Sequence, residues 1–141
     1  MSLLPGTLRR MSYDLAVWEG DRPADNAAAL ADFKALYERY LGGGQIPPTP
    51  RIRAYVEALL GRWVDLTEDD GEERSPWSTG PLIKEASGPI IYFPMVFSRC
   101  EEVSAGAARI AAEHGLVCFD PQLGLLRPAP EESEVAELPE R

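Results

Sequence analysis

Two apolar runs, Ile90-Ile91-Tyr92-Phe93 and Leu116-Val117-Cys118-Phe119, bracket a stretch of helical spacing, and no other part of the chain constrains the fold as much. A run that is apolar at consecutive positions reads as a strand buried on both faces, or nearly so. Between the runs, Ser98 with Glu101 three residues on has the form of a capping box. Val103, Ala107, Ile110 and Ala111 then recur at helical spacing up to His114, and Gly115 is the expected left-handed residue beyond the helix end. Strand, helix and strand joined in this way form a βαβ unit, with parallel strands and a right-handed crossover. Pro94 cannot donate to a ladder, so it predicts a bulge, an edge or a strand end.

The remaining elements are read around that unit. Tyr13 to Trp18 alternates in the manner of a strand with one well-buried face, and Glu19-Gly20-Asp21-Arg22-Pro23 turns the chain. Asp25 or the residues before it cap a helix to about Leu41, with Leu30, Phe33, Leu36, Tyr37 and Tyr40 at helical spacing, and Gly42-Gly43-Gly44 stops it. Thr49 is a good N-cap and Pro50 suits the first helical position. Ile52, Tyr55, Val56, Leu59, Leu60 and Trp63 follow as one wide apolar stripe, read as core. Pro81 to Glu85 and Pro89 to Phe97 read as two strands joined by Ala86-Ser87-Gly88. Asp120-Pro121 ends the Leu116 strand, and Leu123 to Leu126 returns as a last short one. This order predicts an α+β, ferredoxin-like (split βαβ) two-layer sandwich with a doubled first helix, about four to five strands and three helices.

A chain of 141 residues holds one such domain. Met11 opens Met-Ser-Tyr-Asp ahead of the first strand, so residues 1–10 read as a disordered or upstream extension and 11–128 as the domain. Residues 129–141 read as an acidic disordered tail. The net charge of −9 is concentrated: Asp65 to Arg74 carries −5 and Glu131 to Arg141 carries −4, which leaves the body neutral.

Several classes of function are disfavoured. The longest uncharged apolar stretch, Ala86 to Ser98, contains two prolines and falls short of the roughly 20 residues a membrane helix needs. The first ten residues lack the apolar stretch of a secretory signal, so a cytoplasmic location is expected. Two cysteines, Cys100 and Cys118, are too few for a disulfide-built domain and are expected to be reduced. Only Lys34 and Lys84 are lysines, against twelve arginines, which reflects a GC-rich coding genome rather than nucleic-acid recognition. No basic cluster stands out, and phosphate repels an acidic chain. The triple glycine follows a helix and is not followed by lysine with serine or threonine, so it is no phosphate loop. His114, the only histidine, ends a helix. Cys100 lies about 20 Å from it along that helix, too far for a catalytic pair. Cys100, Cys118 and His114 lack zinc-ligand spacing, and no cofactor or metal is expected.

Three features remain as candidates. The acidic run Asp65, Glu68, Asp69, Asp70, Glu72 and Glu73 precedes Trp77, and a tryptophan in a polar loop either returns to the core or faces a partner. Read as an interface, the acids steer a basic protein partner and Trp77 anchors it. The alternative is a small enzyme or ligand binder using Asp14, Glu19 and Asp120, with Asp14 and Asp120 sharing a proton if they meet. A third reading is a structural subunit whose apolar sheet residues pair across a homodimer.

The motifs Tyr13-Asp14-Leu15-Ala16-Val17-Trp18-Glu19, Ser75-Pro76-Trp77 and Gly115-Leu116-Val117-Cys118-Phe119-Asp120-Pro121 resemble those of a family of short bacterial cytoplasmic proteins with no assigned activity. The resemblance covers the domain but not the tail and supplies no catalytic residues. It implies a small accessory or immunity-type protein.

Overall fold

The computed structural model describes residues 12–128. The expected extension at 1–10 and the acidic tail at 129–141 lie outside the described residues.

The fold is α+β, built on one five-stranded antiparallel sheet. The strands are β1 (Ser12–Trp18), β2 (Ala86–Ser87), β3 (Ile90–Val96), β4 (Val117–Asp120) and β5 (Leu125–Arg127), in the spatial order β2-β3-β1-β4-β5. The helices are α1 (Asn26–Leu36), α2 (Pro50–Arg62), the four-residue α3 (Gly71–Arg74) and α4 (Cys100–Glu113). β3 and β4 both pair antiparallel with β1, so they run parallel to each other with β1 between them.

β1 is the central strand, and Leu15 to Trp18 are buried on both faces. Leu15 and Val17 face one layer with Ile91, Phe93, Met95 and Cys118, covered by α2 and α4. Ala16 and Trp18 face the other with Ile90, Val117, Phe119 and Leu126, covered by Ala29 and Phe33 of α1. The two helices expected to form a doubled pair therefore lie on opposite faces, and the sheet is sandwiched in three layers rather than two. Both helices carry apolar stripes, and a sheet with two apolar faces takes one on each side.

Most predicted termini are found. Asp25 accepts from the Ala28 N–H at 2.8 Å and Thr49 from the Ile52 N–H at 3.2 Å, each at a helix start. α1 passes into a π-helical turn, Tyr37–Leu41, before Gly42. Gly115 and Gly124 occupy left-handed turns at φ +69° and +70°. Pro94 is accommodated inside β3 because its backbone faces away from β1: its carbonyl accepts from Ser78 N–H at 3.1 Å, and Val96 N–H beside it reaches the Pro76 carbonyl at 2.7 Å.

Two expectations are corrected. Leu82–Glu85 is a 3-10 turn rather than a strand, because Asp65 takes the Leu82 N–H on both carboxylate oxygens at 3.2 Å and Lys84 N–H turns back to the Pro81 carbonyl. The hairpin strand shrinks to β2, closed through Gly88 and Pro89. Ser98 does not cap α4: Phe97–Arg99 is a 3-10 turn, the N-cap position is Arg99, and no side chain bonds there.

Both outer strands carry side-chain partners on their open sides. Gln45 Nε2 donates to the carbonyls of Lys84 and Ala86, at 2.8 and 2.9 Å, along β2. On β5, Asn26 accepts the Leu126 N–H at 2.9 Å and Arg22 donates to the Arg127 carbonyl at 3.5 Å.

Candidate functional site

The acidic segment is a built turn. Asp65 is buried and bound to Leu82 N–H, so its role is structural. Asp70 sits at φ 64°, a left-handed position that aspartate tolerates better than most non-glycine residues. Gly71 follows in a place no side chain fits: a Cβ would lie 2.2 Å from the Leu66 carbonyl oxygen. The turn thus displays Glu68, Asp69, Asp70, Glu72 and Glu73, all exposed, and none of them is in an ion pair among the described residues.

Trp77 does not belong to that surface. It is 1% exposed and packs edge-on against Trp63 and Phe93, at 5.7 and 5.6 Å. A backbone bridge to Met95 extends the sheet at this point and draws the side chain into the core. A ring so enclosed offers a partner no contact area, so the anchor expected from the sequence is absent. The exposed aromatic nearby is Phe97, 49% exposed. Arg99 donates to the Arg74 carbonyl at 3.0 Å, which ties the Phe97–Arg99 turn to the end of the acidic turn. Phe97, Arg99, Cys100 and the exposed acids Glu101 and Glu102 surround a hollow of about 400 Å³ there. The sequence reading passed over Phe97 as the end of a strand.

The three carboxylates named from the sequence are all placed, but apart. Glu19 accepts from the Thr49 hydroxyl and so braces the start of α2. Asp14 accepts from the Tyr92 hydroxyl at 3.1 Å. Asp120 accepts from the hydroxyl of Tyr13. Tyr13 and Asp14 are consecutive on β1 and point to opposite faces, so Asp14 and Asp120 share no proton. Burial pushes the Asp14 carboxyl up, the Tyr92 hydrogen bond partly offsets this, and the charge of Asp120 adds to the rise.

Asp120 is the hub of a buried network. It is fully buried and faces Arg127 Nη1 at 3.6 Å. Its Oδ1 accepts from Gln122 Nε2 at 2.7 Å and from Leu123 N–H at 3.1 Å. Arg127 in turn donates to Ser104 of α4 at 3.3 Å. The Gln122 amide also bonds the backbone of Asp14 on both sides, N–H at 2.6 Å and carbonyl at 2.8 Å, which prolongs the β1–β4 ladder with a side chain. The Tyr13 hydroxyl is held protonated, by burial first and by Asp120 next. The contacts of this network join β1, β4, β5 and α4, so its arrangement is structural.

A third feature escaped the sequence reading. Beside α1, two adjoining hollows of about 270 and 330 Å³ share Tyr37 and Tyr92, and the chain's only two lysines, Lys84 and Lys34, line one each. No local signal in the sequence marks it, because its walls come from separate elements.

Among the described residues no cluster of three His, Cys, Asp or Glu stands ready for a metal, and no helix is long and apolar enough to cross a membrane. Cys100 and Cys118 are both buried and form no disulfide, and burial raises the Cys100 thiol above its ordinary range. Among the described residues, both apolar faces of the sheet are covered by the chain's own helices. No protein-family model matches the chain, and comparison with curated proteins and with solved structures finds no match.

Proposed function

We propose that this is a non-enzymatic binding domain of the accessory or immunity type, and that the acidic turn Glu68–Glu73 is its face for a basic protein partner. The observation that carries the reading is the hydrogen bond from Arg99 to the Arg74 carbonyl, which sets exposed Phe97 and the acids of the α4 start beside a rigid row of carboxylates. Charge then governs the rate of encounter, and Phe97, in place of Trp77, supplies apolar contact. The frame is of the ferredoxin-like kind in this reading. The antiparallel order β2-β3-β1-β4 supports it, with β5 and the α1 layer as additions.

The test uses a basic partner cross-linked to the chain in its native cell and then purified. Replacing Glu68, Asp69, Glu72 and Glu73 by Gln or Asn should slow association by about tenfold at low salt, an effect that fades above 0.1 M, where the Debye length is about 10 Å. Neutralising Asp32, Glu38, Glu57 and Glu113, which are exposed elsewhere, makes the control of equal net charge. Phe97→Ala should mainly speed dissociation. Equal slowing by both neutralised sets would show that only net charge matters and would sink the proposal.

A further inference from the structure

The hollow of about 330 Å³ beside α1 lies at the small end of ligand sites, which run from roughly 300 to 1,000 Å³. Its walls are Phe33, Tyr37 and Tyr92, and Lys34 and Glu38 complete it. The rings are fixed before anything binds. Tyr92 is held at its hydroxyl by Asp14 and touches Phe33 at 5.4 Å and Tyr37 at 5.9 Å between centroids. Phe33 is backed in turn by Trp18 and Phe119, at 6.3 and 5.8 Å. The aromatic stack therefore runs from the core to the surface and ends in Tyr37, 41% exposed. Walls held in this way lose little freedom when a ligand enters.

The charges at the rim are one of each sign. Lys34 and Glu38 lie four residues apart, on one side of the helix where it enters the π turn, so an ammonium and a carboxylate overlook the same ring-lined hollow. Both are exposed, and neither is in an ion pair among the described residues. A purely anionic ligand would meet Glu38 and a purely cationic one Lys34. A zwitterion satisfies both.

We infer that this hollow binds a small aromatic zwitterion of the α-amino-acid class, its ring against Tyr37 and Tyr92, its carboxylate on Lys34 and its ammonium on Glu38. The site is separate from the acidic turn and stands whether or not that turn binds a protein.

The probe is L-phenylalanine, titrated into the full chain with amide chemical shifts as readout. Saturable binding near 1 mM, roughly the strength of so small a ligand, is expected, with shifts centred on residues 33–38 and 92. 3-Phenylpropanoate and phenethylamine, which each keep one charge, should bind about tenfold more weakly. Lys34→Gln should weaken phenylalanine and phenylpropanoate and, by removing a like charge, should tighten phenethylamine slightly; Glu38→Gln should weaken phenylalanine and phenethylamine and tighten phenylpropanoate slightly. Tyr37→Ala should weaken all three by about tenfold, and Lys84→Gln none. Lys34, Glu38 and Lys84 are exposed, so the melting curves of their variants should coincide with that of the parent chain. Tyr37→Ala gives up ring contacts with Phe33 and Tyr92, so its binding is measured well below its own melting transition, which separates lost binding from lost folding. Absence of saturable binding, equal binding of the three probes, or the same response to both charge variants overturns the inference.

Discussion

Asp120→Asn is nearly isosteric, yet it removes a charge and turns one acceptor into a donor, and the structure predicts a large loss of stability. Four donors converge on this carboxylate: the Tyr13 hydroxyl, Arg127, Gln122 Nε2 and Leu123 N–H. Asparagine brings one acceptor oxygen and an NH₂ group that is itself a donor, so one pair of donors must face another donor. If the oxygen turns toward Gln122 and Leu123, the NH₂ meets Arg127, whose side chain is 9% exposed. Breaking a buried ion pair from one side costs about 3–5 kcal/mol, because the remaining charge is left uncompensated. The Ser104 bond to Arg127 survives, which favours the lower half of that range. At about 4 °C per kcal/mol for a domain of this size, melting should fall by about 12–16 °C. Tyr13→Phe, which deletes a single donor to a buried carboxylate, should cost about 1.5–3 kcal/mol. Urea unfolding followed by tryptophan fluorescence, backed by thermal melts, gives both values. A loss below about 1 kcal/mol for Asp120→Asn would refute the argument, since it would show that the donors relax away from the site at little cost.

Two further predictions concern single side chains. Trp77→Ala should cost about 3–5 kcal/mol by opening a core cavity. Trp77→Phe should cost much less, because it also removes an indole N–H that is buried without a hydrogen-bond partner; equal losses in a urea melt would contradict this. Asp14 takes up a proton more readily in the folded chain than in the unfolded one, since burial raises it. Its ionisation therefore opposes folding as pH rises through and above the ordinary carboxylate range. Asp14→Asn should accordingly gain stability relative to the parent between pH 4 and pH 7, and a difference that stays flat across those melts would rule it out.

Local signals in the sequence proved reliable where one side chain decides the outcome. Asp25, Thr49 and Gly115 act at helix ends through their own hydrogen bonds or backbone freedom, and those ends were readable. The apolar runs around Phe93 and Phe119 were likewise sufficient to place β3 and β4. The sequence does not encode locally which face of the sheet a helix takes, so the separation of α1 from α2 was not legible. Leu82–Glu85 has a strand-like composition, but a carboxylate seventeen residues upstream, Asp65, holds its first N–H. Trp77 lies in a polar loop by composition, and only the bridge to Met95 turns it inward. Of the candidate sites, the acidic run was visible as charge. The aromatic hollow was not, because Tyr92 of β3 lies 59 residues along the chain from Phe33 of α1, and Tyr37 belongs to the π turn between.

The amide side chains along the outer strands have a consequence for how this chain can meet others. An unpaired strand margin is a template on which another polypeptide can lay its own backbone, the route to domain exchange and fibrils. Here Gln45 occupies the Ala86 carbonyl of β2 and the Lys84 carbonyl just before it, and Asn26 takes the outward Leu126 N–H of β5, with Arg22 at the Arg127 carbonyl. β2 is also only two residues long. A foreign strand would have to displace these side chains before gaining a single ladder bond. Recognition of this protein therefore runs through the chemistry of its side chains, and the sheet resists templated growth at both margins.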